Sequence, residues 1–292
     1  MHSEISPGVA ILPGVAILTG ATSGIGRFTA RGLARAGWRL VLLGRNQEKL
    51  EQTARWLVLE AGAVLPPETE LADFASLRSV QAAAERVAAR HGRAGLLVNN
   101  AGAMFPSRTL TADGYESTFA VNHLAPFLLT RIVLPAVIAA APARIVTVAS
   151  TAHLRGHIDF ADLMAARRYR FMRAYAQSKL ANVLFTMELA RRLAGTGVSA
   201  TCVHPGVVAT GFGQKPGLVG LGWRLATPFL MRPEDGAQET LRAALEPGLA
   251  GTTGVYFSRG RVAATNPQAS DTAIATRLWQ ESEALVDSAL RR

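Results

Sequence analysis

The alternation of two kinds of apolar segment constrains the fold of this chain more than any other feature. Short runs rich in β-branched residues alternate with longer stretches whose apolar residues recur at helical spacing. This order is typical of an α/β protein with a parallel sheet and helices on both faces. We expect strands at 15–18, 40–43, 96–98, 144–148, 199–203 and 255–257, and a weaker one within 63–71. We expect helices at 27–36, 76–90, 115–140 and 175–194.

No linker or change of composition divides the 292 residues, so we expect a single domain at 14–292. The six letters PGVAIL stand at 7–12 and again at 13–18, and only the second copy continues into a strand and a glycine loop. Residues 1–13 are therefore interpreted as an N-terminal extension, which arose by duplication or pairs at a sheet edge. Residues 211–233, rich in glycine and large apolar side chains, predict a substrate lid.

Charge and composition bear on the partners. The net charge of +10 comes from scattered arginines without a long basic run, so we expect no nucleic-acid partner. Cys202 is the only cysteine, which excludes an intrachain disulfide, and the histidines show no metal-ligand spacing, so we expect no metal. The apolar run at 5–18 is short and broken by proline and glycine, and the start MHSEIS is unlike a secretory signal. We therefore expect no membrane span and a cytoplasmic location.

A glycine-rich loop follows the first expected strand and opens a helix. Gly20 allows a sharp turn, Gly24 allows the backbone to approach a ligand, and Gly26 allows close packing of helix on strand. The N–H groups at such a helix start bind a pyrophosphate. The next strand is followed by Arg45, where an acidic residue would favour NAD, and an arginine can pair with a 2′-phosphate. The loop thus predicts a dinucleotide, with NADP(H) preferred and NAD(H) as the alternative.

Tyr175 and Lys179 stand four residues apart and therefore on one face of the expected helix. A free tyrosine titrates near pH ~10, and a neighbouring ammonium group favours the phenolate. The chain contains only three lysines, Lys49, Lys179 and Lys215, and this rarity argues against a chance placement of one of them beside Tyr175. The pair predicts a tyrosine general acid or base whose pKa the lysine lowers.

Several motifs stand in an order that resembles the short-chain dehydrogenase/reductase family over nearly the whole chain. They are TGATSGIG (19–26), NNAG (99–102), VNHLAPF around Asn122, RIVTVAS ending at Ser150, YAQSKLANVLFT from Tyr175, and HPGVVAT (204–210). The phrase QSKLAN, the long interval between Ser150 and Tyr175, and the tail from GVYFS to RLWQESE resemble the retinol-dehydrogenase-like branch.

The resemblance implies a Rossmann-type fold and a role for each matching residue. Tyr175 would exchange a proton with the substrate oxygen, Ser150 would hydrogen-bond that oxygen, Lys179 would hold the nicotinamide ribose, and Asn122 would hold a relay water. Val208 and Thr210 would contact the nicotinamide amide. The expected cofactor contacts are Gly20, Ser23, Gly24, Ile25, Gly26, Arg45, Glu70, Leu71, Asn100, Ala101, Gly102, Tyr175, Lys179, Pro205, Gly206, Val208 and Thr210.

Two positions depart from the family pattern. Glu70 stands where the family usually has an aspartate near the adenine, and Ser23 stands where many NADP-using members have a basic residue. His153 and His157 follow Ser150, and a position lining the substrate cleft stays open as an alternative for both.

The sequence thus leads to one main hypothesis, an NADP(H)-dependent carbonyl reductase or alcohol dehydrogenase acting on a fairly apolar small molecule. A non-catalytic cofactor sensor or scaffold on the same fold is the alternative. The resemblance also allows a homodimer or homotetramer.

Overall fold

A computed structural model describes residues 13–206 and 232–292 of the chain. The first copy of PGVAIL, the two expected nicotinamide contacts Val208 and Thr210, and residues 211–231 of the expected lid lie outside the described residues.

The strands are β1 (Val15–Thr19), β2 (Arg39–Gly44), β3 (Glu68–Leu71), β4 (Leu96–Asn99), β5 (Ala143–Val148), β6 (Val198–His204), β7 (Val255–Ser258) and β8 (Arg261–Val262). The helices of the described part are α1 (Gly24–Arg35), α2 (Gln47–Leu59), α3 (Leu77–Arg90), α4 (Ser117–Ala139), α5 (Phe171–Arg192), α6 (Pro233–Leu245) and α7 (Thr272–Arg291). All seven predicted strands are confirmed. The sequence patterns did not predict α2, α6, α7 or β8.

The eight strands form one sheet in the order β3-β2-β1-β4-β5-β6-β7-β8. Strands β1 to β7 pair in parallel, and β8 pairs antiparallel with β7 at the edge. The strand order reverses between β1 and β4, and the loops that follow these two strands diverge there. Ligands of open α/β sheets bind in the crevice at such a switch point. The single-domain, doubly wound α/β fold is confirmed.

The sheet has an apolar core on each face. Neighbouring residues on a strand point to opposite faces, so Ile17 packs into one core and Leu18 into the other. The first core contains side chains of α3, α4, α5 and α7, and the second contains side chains of α1, α2 and α6. Helices therefore cover both faces, and the carboxyl edge of the sheet is left for the site.

Helix α4 departs from the expected regular helix. Its residues Ala120–Leu124 form a π-turn between the α-helical parts Ser117–Phe119 and Ala125–Ala139. Such turns are rare and frequently mark functional sites. Among the described residues, α4 is the helix whose length and mean hydropathy of 1.6 would suit a membrane span, but 72% of its most apolar 18-residue stretch is buried. A core helix of a folded domain has the same properties.

Candidate active site

The turn between β1 and α1 depends on its glycines. Gly20 has a φ of 69° and Gly24 a φ of 52°, a conformation that favours glycine. A Cβ atom on Gly26 would lie 2.1 Å from the Gly20 carbonyl oxygen. The turn therefore brings the start of α1 against the end of β1, as the sequence predicted.

The start of α1 is suited to an anion. Ser23 is the N-cap, its hydroxyl makes no capping hydrogen bond, and the first turn contains no acidic residue. The first N–H groups of a helix lack partners within the helix, and the helix dipole adds positive potential there. This turn, whose close approaches leave no room for a Cβ, fits the pyrophosphate of a dinucleotide at Gly20, Ser23, Gly24, Ile25 and Gly26.

A threonine that the sequence patterns did not single out joins this turn to the loop after β4. The Thr19 hydroxyl accepts hydrogen bonds from the N–H groups of Asn100 (3.0 Å) and Ala101 (2.9 Å). The Asn100 amide in turn donates to the carbonyl oxygens of Thr19 (2.8 Å) and Gly20 (3.2 Å). These bonds hold the two sides of the switch-point crevice together.

Arg45 follows β2 at the same edge of the sheet, and its side chain is exposed. A guanidinium group in this place can pair with the 2′-phosphate of NADP(H). The geometry is compatible with the expected contact, which stays a prediction.

Glu70 lies at the end of β3 but its side chain turns towards α3. It is only 6% exposed, and its carboxylate accepts a hydrogen bond from Arg86 Nε (2.8 Å) and forms an ion pair with Arg90. An adenine contact of this carboxylate would compete with two guanidinium groups, so the contact stays a prediction. Leu71, the next residue, is 47% exposed at the carboxyl edge.

Tyr175 and Lys179 lie one helical turn apart on α5, as predicted. The Lys179 Nζ atom is 5.7 Å from the centre of the Tyr175 ring. Lys179 is 4% exposed, and its ammonium group donates to the Val148 carbonyl oxygen at the end of β5 (3.0 Å). The helix thus places both groups against the carboxyl end of the central strands.

The two side chains have shifted pKa values. Burial lowers the pKa of the Lys179 ammonium group to about 8. Burial also raises the pKa of the Tyr175 phenol, and a hydrogen bond with Ser150 opposes part of the rise. The lowered pKa that was expected for Tyr175 is therefore not found in this structure, because desolvation outweighs the hydrogen bond with Ser150. The phenol is held in its protonated form.

Ser150 follows β5 and faces Tyr175. It has extended backbone angles (φ −162°, ψ 152°) and caps a short 3₁₀ turn, Thr151–Arg155. Its hydroxyl oxygen accepts a hydrogen bond from the Ala152 N–H (3.2 Å). The structure thus brings three of the four predicted catalytic residues, Ser150, Tyr175 and Lys179, to one place.

The fourth, Asn122, lies fully buried in the π-turn of α4. Its amide accepts from the Ala103 N–H (2.7 Å) and donates to the Ala103 carbonyl (2.9 Å) and the Ser178 hydroxyl (3.0 Å). A Cβ on Gly102 would lie 3.3 Å from Asn122 Oδ1 and 3.4 Å from Lys179 Nζ. The Asn122 side chain therefore anchors the NNAG loop beside α5. The relay water at Asn122 stays a prediction.

The other edge of the crevice follows β6. Pro205 is buried, and Gly206 has a φ of 86°, so the chain turns sharply after the strand. These residues stand beside the end of β5 because β5 and β6 are paired. Their contacts with a cofactor stay predictions.

The histidine after Ser150 does not line the cleft. His153 belongs to the 3₁₀ turn and is 0% exposed, so its place in the substrate cleft is excluded. His157 is exposed, and its place in the cleft stays a prediction. Within residues 13–206 and 232–292, no three His, Cys, Asp or Glu side chains are grouped as metal ligands.

Comparison with known proteins agrees with this geometry. Residues 14–217 match the family model described as short chain dehydrogenase. Human retinol dehydrogenase 12 is 43% identical over 264 residues, which cover 90% of this chain and 83% of that protein. Human retinol dehydrogenase 13 is 41% identical over 275 residues, which cover 91% and 82%.

Solved structures show the same fold. An uncharacterized protein from Mycobacterium Paratuberculosis superposes with a TM-score of 0.74 at 34% identity, over 96% of this chain and 98% of that one. Actinorhodin polyketide ketoreductase, solved with NADPH, superposes with a TM-score of 0.68 at 27% identity, over 85% and 96%. The match over most of the chain and the glycine turn beside Tyr175 and Lys179 leave one assignment: the chain belongs to the short-chain dehydrogenase family of NAD(P)-dependent oxidoreductases.

Proposed function

We propose that this protein interconverts an alcohol and a carbonyl group on a fairly apolar substrate, with NADP(H) as cofactor and Tyr175 as general acid or base. The observation that carries the proposal is the convergence of Ser150, Tyr175 and Lys179 beside the glycine turn. Human retinol dehydrogenase 12 acts, by its name, on an apolar alcohol, and this supports an apolar substrate for this chain.

Each side chain has a task that follows from its chemistry. The Tyr175 phenol, kept protonated by burial, can donate its proton to a carbonyl oxygen during reduction. The Ser150 hydroxyl, which faces Tyr175 from the turn after β5, can donate to the same oxygen and stabilise its developing charge. In oxidation the order reverses: Tyr175 must first release its phenol proton to solvent, and the phenolate then accepts the proton of the alcohol.

Lys179 and the glycine turn hold the cofactor. The ammonium group of Lys179, buried near the Tyr175 ring, would hydrogen-bond ribose hydroxyl groups. The start of α1 would bind the pyrophosphate, and Arg45 the 2′-phosphate. NADP(H), when bound, supplies the hydride for reduction and accepts it in oxidation.

Two tyrosine-to-phenylalanine variants test the proposal, one at the site and one away from it. Tyr175→Phe is expected to lower the turnover of NADPH with decanal, retinal and 2-decanone by at least about 100-fold, because the proton donor is lost. NADPH binding, followed by fluorescence titration, is expected to stay within about twofold of that of the unmodified protein, since the ring remains in place.

Tyr115→Phe is the matched control. The Tyr115 hydroxyl donates to the Leu285 carbonyl oxygen (2.7 Å) on α7, away from the catalytic groups, so this variant keeps full turnover. Normal activity of Tyr175→Phe would exclude the mechanism. An unmodified protein that binds NADPH tightly but reduces none of a broad set of carbonyl compounds would favour the non-catalytic alternative.

A further inference from the structure

The carbonyl oxygen of Ser150 is held by a single residue. It accepts hydrogen bonds from the backbone N–H of His153 (3.0 Å) and from the His153 ring nitrogen Nδ1 (2.6 Å). A carbonyl oxygen has two lone pairs and only accepts, so both are used and Nδ1 carries the hydrogen. The 3₁₀ turn after Ser150 is thereby closed by the side chain as well as by the backbone.

A second residue, distant in sequence, fixes the same segment. Asn266 is 6% exposed and lies between β8 and α7. Its side-chain NH2 group donates to the carbonyl oxygens of His153 (3.2 Å), Leu154 (3.2 Å) and Gly156 (2.9 Å). Its Oδ1 accepts from the Gln268 N–H (2.9 Å), which fixes the orientation of the amide. One buried amide thus gathers the carbonyl groups of the segment that follows the catalytic serine.

The segment 150–156 rests directly on α5, the helix that contains Tyr175. A Cβ on Gly156 would lie 2.6 Å from the carbonyl oxygen of Ala176 and 2.9 Å from the Leu180 Cβ, so the backbone touches α5. Ala176 is the residue next to Tyr175. A shift of the segment would therefore change the distance between the Ser150 hydroxyl and the Tyr175 phenol.

We propose that His153 and Asn266 are positioning residues for catalysis: they clamp residues 150–156 and so keep the Ser150 hydroxyl against the Tyr175 phenol. The proposal deepens the proposed function and rests on it. Neither residue touches substrate or cofactor in this role. They act through backbone carbonyl groups, which explains why no motif around the catalytic residues indicates them.

The buried position of His153 makes it a neutral donor. Burial lowers its pKa, and the Tyr256 ring packs edge-on at 4.5 Å between ring centres. His204, at the end of β6, is also buried and has its pKa lowered to about 4, so the nearby histidines carry no charge at neutral pH. The contact with the Ser150 carbonyl oxygen needs only the N–H donor at Nδ1. An asparagine at this position presents an amide N–H at a similar place and is expected to substitute for it.

The variants test the clamp from both sides. His153→Leu removes the donor to Ser150, and Asn266→Asp replaces the donor by a carboxylate that faces three carbonyl oxygens while it keeps the acceptor for Gln268. Each is expected to lower kcat for NADPH-dependent decanal reduction by about 10- to 100-fold, as misplacement of a reacting group does. NADPH affinity is expected to change by less than about threefold. His153→Asn is expected to restore most of kcat.

A second readout needs no substrate. The four tyrosines can be replaced by 3-fluorotyrosine, and Tyr175→Phe then assigns one fluorine NMR signal to Tyr175. Since the hydrogen bond with Ser150 opposes the rise in the Tyr175 pKa, its loss in His153→Leu and Asn266→Asp is expected to shift the signal and raise that pKa further. A purely structural loss of stability would leave the pKa of the folded protein unchanged.

Matched controls separate the clamp from general damage. His91→Leu removes a buried histidine that pairs with Glu68 (3.0 Å), and Gln81→Glu makes an amide-to-carboxylate change on α3, where Gln81 donates to Glu85 (2.9 Å); both lie away from Ser150. They are expected to leave kcat and the Tyr175 signal unchanged. If His153→Leu does not fold, Asn266→Asp decides.

The outcomes keep the two proposals apart. An unchanged Tyr175 signal and pKa in Asn266→Asp and in folded His153→Leu overturns the clamp, whatever the activity. Full activity of Tyr175→Phe overturns the proposed function. A protein that reduces no carbonyl but shows the expected fluorine shifts keeps the clamp as a property of the Ser150–Tyr175 pair and overturns its catalytic role.

Discussion

The buried ammonium group of Lys179 donates a hydrogen bond of 3.0 Å to the carbonyl oxygen of Val148, the last residue of β5. This bond ties the middle of α5 to the sheet directly below Tyr175. It keeps the cation where a cofactor ribose would meet it, and burial lowers the pKa of that cation to about 8. The site thus contains a charged group that opposes folding and that the proposed function assigns to cofactor binding.

The first prediction is that Lys179→Met stabilises the protein in the absence of added cofactor at pH 7. Below pH 8 the lysine is protonated in the folded and unfolded states, and its burial costs at most about 3 kcal/mol. Between pH 8 and about 10.4 the unfolded chain binds more protons, so the unmodified protein gains stability as the pH rises. The advantage of the variant is therefore expected to shrink across this range.

Urea unfolding at pH 7 and pH 10 measures the difference in unfolding free energy between the variant and the unmodified protein. The contributions of the other titrating groups cancel in this difference because both proteins contain them. The loss of the donor to Val148 makes the observed gain smaller than the upper value. A difference in unfolding free energy that is the same at both pH values would contradict the lowered pKa of Lys179. The variant is also expected to lose NADPH affinity.

The sequence predicted those parts of the fold that depend on local pattern. Five of the strands were found as short apolar runs with Gly, Asn, Ser or Pro at or within two residues of their ends. The glycine turn was found because its spacing has a steric cause. Helix α2 was missed although Asn46, whose Oδ1 accepts from the Lys49 N–H (2.9 Å), is a recognisable N-cap. The π-turn of α4, from which Asn122 bonds Ala103 and Ser178, has no comparable signal in the local sequence.

The positions that the sequence did not reveal act through tertiary hydrogen bonds. Thr19 stands inside the glycine motif, yet its role depends on two N–H groups after β4. Asn266 acts on carbonyl groups more than a hundred residues earlier in the chain. The pKa of Tyr175 was expected to fall because the lysine is near in sequence, and it rises because burial, a property of the whole fold, outweighs the hydrogen bond with Ser150.

The second prediction concerns Thr19→Val. The change leaves the N–H groups of Asn100 and Ala101 without their acceptor, at a cost of roughly 1–3 kcal/mol for each buried donor. We expect a loss of about 2–4 kcal/mol in unfolding free energy and weaker NADPH binding, because the crevice loosens. Thr53→Val is the control: its hydroxyl only donates to the Lys49 carbonyl within α2 (2.8 Å), so its cost is expected to be below about 1 kcal/mol. Equal costs for the two variants would refute the role of Thr19.

The third prediction concerns cofactor choice. Arg45→Glu is expected to weaken NADPH binding by more than about tenfold and to change NADH binding little, since a carboxylate repels a 2′-phosphate and accepts from ribose hydroxyl groups. Arg93→Glu makes the same charge change at the amino end of β4, on the opposite edge of the sheet. Fluorescence titrations at one ionic strength compare both. If the two variants weaken NADPH binding equally, the effect is one of net charge and Arg45 does not select the cofactor.

The last prediction uses two glycines to separate close packing from flexibility. A methyl group at Gly26 would lie 2.1 Å from the Gly20 carbonyl oxygen and 2.4 Å from the Asn100 amide nitrogen, so Gly26→Ala must displace the turn to which we assign the pyrophosphate. We expect loss of measurable NADPH binding and a lower unfolding temperature. A methyl group at Gly92 would meet no atom within 4 Å, so Gly92→Ala is expected to stabilise by about 0.4–1 kcal/mol through the unfolded state, with binding intact. Calorimetry of unfolding and binding on both variants measures this. NADPH affinity retained in Gly26→Ala would show that the close approach of α1 to β1 is not what shapes the cofactor site.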